Sequence, residues 1–575
     1  MMRTNIRITK LMTRLTALER EHAEIIYCLV NSQGMAMADR QSTNRFGIDP
    51  AVLGQLDWAL AKNRILADIR SDFIYAPHIS NVFRHAADDL IAEVASELKS
   101  GRYGPGAPIT IDVPKSARMH VVPQGSRGPT FSRPGSILLP KDRLVYQMLA
   151  DQAAPFIETF TDRSRSFSHR LLQPSSADMF EPSRTCWNRM QQALNDLSKS
   201  QRQYVIKADV ANCFASINQH ILVNHLGSIG YPVTLKNALD ALLVLNTGDR
   251  NSRGLLQGMF PSDLLGTFYL NPIDQRFRDL NYPSVRYVDD IYIFVPSLAA
   301  AEQITRDLTR ILRDYDLSLN ETKSKLLNSR SLIMEEPDLE KLFSDAVDEL
   351  RDEDIDSDYG FQSEWDDEDD TDEDQRADIE LGATISLFDS IDDFPAHVEK
   401  IERFYLPLFA AAESDHAVGH VISAFAQRPA MSQIYCSYLS PFLEDKSVRD
   451  SLRCLLTNTE VYYDWQRMWI LAALMTPATS EDDIVSAALR IYRDGQRHEA
   501  LRAVAAIFVA KHGTFIRQKE LFDAYGISGS PYLQTSVLYG ARYFQKDMRK
   551  AGIKSWASQS STHLLVAKAI ESLGR

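Results

Sequence analysis

Cysteine is scarce in this sequence. The five present, Cys28, Cys186, Cys213, Cys436 and Cys454, are scattered over 575 residues with no paired spacing. That scatter excludes a disulfide framework and a zinc knuckle, and a reducing cytoplasm is the simplest home. Long apolar runs are lacking too, so nothing reads as a bilayer-spanning segment and no membrane partner is expected. Met1 to Arg20 is basic with leucines at helical spacing, yet it has no continuous apolar stretch; it reads as a short helix rather than a signal peptide. An overall excess of positive charge is also missing, since the net charge is -14.

The net value hides an uneven distribution. Residues 335–380 hold 23 acidic and 3 basic side chains, whereas residues 99–207 hold 16 basic and 8 acidic ones. A run as acidic and as poor in apolar residues as the first cannot bury enough surface to fold alone, so 335–380 reads as a disordered insert between domains. The second is where a polyanion could sit, although an ordinary solvated face has the same composition. At this length, with 44% hydrophobic residues, two or three globular domains are expected.

Residues 1–100 form an N-terminal helical segment by pattern, with three-to-four spacing over Leu53–Ile69 and Ile79–Leu98. Between Ile109 and Leu139 short β-like runs alternate with Pro, Gly and Ser and carry Lys115, Arg118 and Arg133. The stretch Arg163-Ser-Arg165-Ser-Phe167-Ser-His169-Arg170 interleaves cations and hydroxyls with an aromatic, a composition suited to a phosphate backbone or to a plain loop. Tyr204–Val210 reads as a buried strand ending near Asp209, and a buried acid without a partner is costly. Gly254-Leu-Leu-Gln257-Gly258-Met-Phe-Pro261-Ser262 is a loop leading into an apolar helix; its glycines permit close backbone approach, and Gln257 and Ser262 offer uncharged hydrogen bonds.

Val285-Arg-Tyr287-Val-Asp289-Asp290-Ile-Tyr-Ile-Phe294 reads as strand, tight turn, strand, with two acids at the tip. An amphipathic helix over Leu298–Tyr315 and the segment Leu317–Leu326 follow. These elements predict an α+β sheet with helices on one face. From Phe388 onward the pattern is helical throughout, suggesting a solenoid of helix hairpins over 381–575 or an irregular bundle, without a clean repeat period.

Two acids at a hairpin tip are either a solvated turn or a cation site, and Asp209 decides between them. The intervals of 48 residues from Asp209 to Gln257 and 32 from Gln257 to Asp289 each accommodate a helical crossover. Strands ending in Asp209 and Asp289 can then meet in one sheet and hold two divalent cations about 3.5–4 Å apart, the arrangement for in-line phosphoryl displacement.

Taken together these motifs resemble the palm of reverse transcriptases over roughly residues 105–330. Tyr287-Val-Asp289-Asp290 is similar to the Tyr-x-Asp-Asp motif, Ala208-Asp209-Val210-Ala-Asn-Cys-Phe214 to the first catalytic segment, and Gly254-x-x-Gln257-Gly258-x-x-x-Ser262 to the template- and nucleotide-contacting loop. Leu256 stands where many relatives have Pro. The resemblance implies a right-hand polymerase with fingers and palm over 101–334. It further implies catalytic Asp209, Asp289, Asp290 and Lys323; metal binding at Asp209, Val210, Asp289 and Asp290; and two Mg2+ ions as cofactors. Substrate contacts are implied at Phe214, Gln257, Gly258 and Tyr287, with Arg133, Lys115 and Arg118 as rival cations for the triphosphate. Phe214 is implied to exclude a 2'-hydroxyl; its alternative is a core Phe behind the strand. An RNA template or non-coding RNA, dNTPs and a DNA product are the implied partners, with a homo-oligomer or partner protein besides.

No ribonuclease H, integrase or endonuclease constellation is visible. A polymerase fused to helices resembles the prokaryotic abortive-infection and defense-associated reverse transcriptases, some of which prime from a protein hydroxyl; antiphage function is what that implies. The alternative is a module that binds RNA or protein through a polymerase-like fold with secondary or no synthesis.

Overall fold

The computed structural model describes residues 46, 48, 50–119, 121, 128–173, 175–200, 202–247, 252–334, 373–395, 397–477 and 480–573. The expectations for Met1–Arg20, for Cys28 and for the acidic stretch 335–372 lie outside these residues.

Before the first sheet come α1 (Trp58–Asp68), α2 (Pro77–His85) and α3 (Ala87–Ser100). Asp57 starts α1 by accepting a hydrogen bond from Leu60 N at 2.8 Å. The continuous helix expected over Ile79–Leu98 is broken at Ala86, whose backbone leaves the helical region. Strands β1 (Ile109–Arg118) and β2 (Thr130–Ile137) pair antiparallel as a two-stranded hairpin, in the segment expected to be the fingers. The long α4 (Pro140–Phe160) and α5 (Ser183–Ser198) then lead to the palm.

The palm sheet has the order β4-β5-β3-β6, every pair antiparallel, from β3 (Tyr204–Asp209), β4 (Ser284–Tyr287), β5 (Asp290–Val295) and β6 (Lys325–Asn328). Between β3 and β4 lie α6 (Gln219–Ser228), α7 (Val233–Asn246), α8 (Phe260–Tyr269) and α9 (Asn271–Asp279), and α10 (Leu298–Asp314) follows β5. Ser297 caps α10 by accepting from Ala300 N, and its Ala301, Ile304, Leu308 and Leu312 stripe packs in the main core with Ile206, Ile291 and Ile293.

Helices were expected on one face of this sheet only, and that expectation is corrected. Val205, Val285, Tyr292 and Phe294 point the other way, into a second core with Phe167 and with Met190 and Leu194 of α5. Consecutive apolar residues along β3 and β5 have no polar face to give to water, so both sides must be covered.

The C-terminal region is built of stacked helices. Val398–Ala411, Ser432–Leu439, Asp464–Leu474, Glu499–His512, Pro531–Gly540 and Ser561–Leu573 pack each on the next in one row. Lys446–Thr457, Asp482–Arg493, Phe515–Asp523 and Lys546–Trp556 lie outside it, which gives a solenoid-like stack. Residues 500–510 are buried without exception, because the inner row also packs on the fingers and on α2. The boundary expected at residue 380 falls inside a helix, Glu373–Asp389, which carries the buried Ala383 and Phe388 into this stack.

The stack grips the fingers hairpin along its length. Tyr463 hydroxyl donates to Thr130 O at 3.0 Å, His498 Nε2 to Thr110 O at 2.7 Å, and Trp465 Nε1 to Phe73 O at 2.7 Å. Ser116 pairs with Glu399, and Arg118 donates to the carbonyl of Gln427.

Candidate active site

Strand β3 ends at Asp209 and β5 begins at Asp290, and the two are register partners at one end of the sheet. Asp289 occupies the intervening turn, where its carbonyl accepts from Val210 N at 3.3 Å. Antiparallel pairing thus brings together Asp209 and Asp290, 81 positions apart in the chain. The next segment closes the group: Asn320 N donates to Asp209 O at 2.8 Å, and Lys323 Nζ lies 3.2 Å from Asp209 Oδ2. Asp209 is 8% exposed, whereas the Lys323 side chain is 63% exposed and free to swing. The four residues expected to be catalytic therefore share one location.

Electrostatics mark the location as short of positive charge. Burial raises the Asp289 carboxyl, with Asp209 adding to the shift. Burial, then Asp289 and Asp209, push Asp290 up to about 6. Like charges crowded on a sheet edge favour a cation or a proton. Among the described residues no three metal-ligating side chains yet stand close enough to hold an ion, and Lys323 serves Asp209 instead. The donor set itself, hard carboxylate oxygens, has the chemistry that a divalent cation takes. Val210 has a buried side chain, so only its backbone oxygen could join them.

The turn that carries Asp289 is strained and braced. Val288 has φ 54, a left-handed conformation that a β-branched residue resists. Two hydrogen bonds hold it, Val288 N to Ser168 Oγ at 2.9 Å and Arg286 Nη1 to Val288 O at 3.0 Å. Arg286 is wholly buried. Its fork also reaches Asp274 at 2.6 Å, Ser166 Oγ at 3.1 Å, Asn271 Oδ1 at 3.3 Å and Thr267 O at 3.3 Å. Sequence reasoning passed over Arg286 and Asp274, although an arginine inside an apolar strand is a signal, since a buried charge needs a partner.

The same brace corrects the phosphate reading of the 163–170 stretch. Arg163 bonds Glu158 and the carbonyls of Ser168 and His169; Arg165 bonds Tyr282 O and Ser284; Arg170 lies over the Phe167 ring and donates to Arg163 O. These cations are used inside the palm, under the Asp289 turn.

Phe214 sits five residues after Asp209, half-buried against Gly266, where an added Cβ would come within 3.1 Å of the ring. The Gln257 loop is tied to it, with Leu255 N donating to Phe214 O at 2.9 Å and Gly254 N to Ile217 O at 2.8 Å. Gly258 has φ 85, and a Cβ there would lie 2.7 Å from the Phe73 ring, so the position demands glycine twice over. Gln257 is half-buried beside it. Ser262, read from sequence as open to a ligand, is fully buried and bonded to Tyr146 at 2.9 Å; it holds α8 to α4.

The remaining expected contacts are spread over a wider area. Lys115 reaches across from the fingers to Asn212 Oδ1 at 3.4 Å, next to the Asp209 loop. Arg133 lies over the Phe73 ring at 4.7 Å, and Arg118 is turned to the helical stack. Tyr287 packs edge-on against Trp187, and its hydroxyl donates to Ser183 O at 3.3 Å.

Residues 120–351 match the family model described as reverse transcriptase (RNA-dependent DNA polymerase). The matched segment holds β2, the four strands of the sheet and the Asp209, Asp289 and Asp290 cluster, and begins after β1. No curated protein matches the chain. Two solved structures are similar at 11% identity. The telomerase of Candida albicans, solved in complex with a TWJ fragment of telomeric RNA, has TM-score 0.25 over 63% of this chain and 66% of its own, just under two thirds of its length. The apo telomerase of Candida tropicalis has TM-score 0.29 over 84% and 73% respectively. Among the described residues no helix is long and apolar enough to cross a membrane.

Proposed function

We propose that this protein is a DNA polymerase that transfers dNMP from dNTPs to a 3'-end or to a protein hydroxyl, directed by an RNA template or a bound non-coding RNA. The observation that carries the reading is the meeting of Asp209, Asp289, Asp290 and Lys323 at one sheet edge, inside the segment matched by the reverse transcriptase family model. Two magnesium ions bound there would activate the attacking hydroxyl and neutralise the leaving phosphate.

Asp209 and Asp289 would hold the ions, with Asp290 assisting from the start of β5. Lys323, now paired with Asp209 at 3.2 Å, is the residue that would supply a proton to the leaving pyrophosphate. Gln257 and Gly258 lie against the nascent base pair, Tyr287 lies by the primer end, and Lys115 is the fingers cation best placed for the triphosphate. Incubation with labelled dNTPs, magnesium and a panel of primers and RNAs should give product that EDTA abolishes. Absence of product across the whole panel would favour a polymerase-like binding module instead.

Phe214 checks the sugar. Its half-buried ring, packed against Gly266, would stack beneath the sugar and exclude a 2'-hydroxyl. Phe214→Ala should raise ribonucleotide incorporation relative to deoxynucleotide by about tenfold, the scale of one or two lost close contacts. An unchanged ratio in a competition assay would make Phe214 a core residue only.

The joining of a palm to a helical stack supports a place among cytoplasmic antiphage systems, as the resemblance to the abortive-infection group implies.

A further inference from the structure

A cavity of about 690 Å3 lies away from the carboxylates, where α2, the fingers hairpin and the helical stack meet. Junctions of this kind are where ligand sites concentrate, and the volume lies within the roughly 300–1,000 Å3 of small-molecule pockets. Its wall carries two kinds of group. The aromatic rings of Tyr75 and Trp469, 6.0 Å apart and tilted by 57°, offer faces and edges to a flat group. Arg70 and Arg84 line the cavity too, both exposed and with no ion pair to any described residue.

Deeper in, Arg143 is 2% exposed and pairs with Asp72 and Asp68, while its Nε has no partner; Trp469 Nε1 is a second buried donor without one. Ser437 and Thr476 add hydroxyls to the wall. Two guanidinium groups free to fork, sharing one cavity with aromatic rings and spare N–H donors, call for a ligand that joins an anionic group to a flat, hydrogen-bonding ring.

We propose that this cavity is a binding site for a mononucleotide, with the phosphate on Arg70 and Arg84 and the base against Tyr75 and Trp469. It is separate from the carboxylate cluster and needs no divalent metal, so it stands or falls independently of polymerisation.

Calorimetric titration of the full chain with 5'-AMP in EDTA tests it directly. One saturable site is expected, bound equally by wild type and by Asp289→Asn. Arg70→Glu/Arg84→Glu should weaken it by at least about tenfold, as loss of two charge-assisted contacts implies. Both positions are exposed, so the melting temperature of that variant should match wild type. Trp469→Phe, which keeps the ring and removes the indole N–H, should weaken binding less than the double variant. Adenosine alone and inorganic phosphate alone should each bind more weakly than AMP. The proposal is overturned by an absence of heat at millimolar AMP, by equal affinity in Arg70→Glu/Arg84→Glu, or by inorganic phosphate binding as tightly as AMP.

Discussion

Arg286→Ala is expected to destabilise the protein by about 3–5 kcal/mol, the cost of leaving a buried carboxylate without its counter-charge. Asp274 is 2% exposed, and Arg286 opposes the rise that burial imposes on its carboxyl. Without the guanidinium, Asp274 must take up a proton to stay buried, so the loss should be greater at neutral pH than near pH 5. The sign follows from the direction of the shift: a carboxyl raised further in the folded state costs stability once the pH exceeds its unfolded value. Arg286→Lys keeps a charge but cannot reach Asp274, Ser166, Asn271 and Val288 O together, so it should recover part of the stability and little of the turn geometry. Denaturant unfolding at the two pH values checks this, and a loss below about 1 kcal/mol for the alanine variant would show that the brace is dispensable.

Asp289→Asn should behave in the opposite sense. Incorporation of labelled dNMP should fall by about 100- to 1,000-fold, the range for removing one preorganised charged group from a reacting centre. Stability should hold or rise, because Asp289 and Asp290 are both raised by burial and by their acidic neighbours, and one like charge fewer relieves that strain. Loss of activity together with an undiminished melting temperature is the signature of a residue kept for chemistry. In a phage-sensitive bacterium the same variant should lose whatever plaque reduction the wild type gives. Wild-type activity in the variant would exclude Asp289 from the reaction.

Much of the site was legible because its information is local. Alternating and continuous apolar runs mark β3, β4 and β5, the Asp pair marks their tip, and the amphipathic pattern marks α10; each rests on neighbours within a few residues. Phe214 and Gly258 were legible as positions, while their settings against Gly266 and Phe73 were not, since those contacts cross the chain. The basic stretch at 163–170 misled for the same reason. Composition cannot distinguish an arginine facing solvent from one whose acceptors, such as Tyr282 O, lie more than a hundred residues away. The two-sided covering of the palm sheet was visible in Val205-Ile206 and passed over, whereas the wrapping of the helical stack around the fingers had no local signal at all.

That wrapping has a consequence in time. A two-stranded hairpin is marginal in water on its own, and β1 and β2 take their support from Gln427, Tyr463 and His498, with Trp465 anchored on neighbouring Phe73. Gln427, Tyr463, Trp465 and His498 are all made after the last strand of the palm. At about 5–20 residues per second a ribosome needs roughly 8–30 s to go from residue 334 to His498, longer still for those residues to leave its exit tunnel. Through that interval the nascent chain carries a complete set of carboxylates beneath a hairpin supported by Phe73 and the N-terminal helices but not yet by the helical stack. The hairpin above the carboxylates thus gains its full set of contacts only from helices that never touch them.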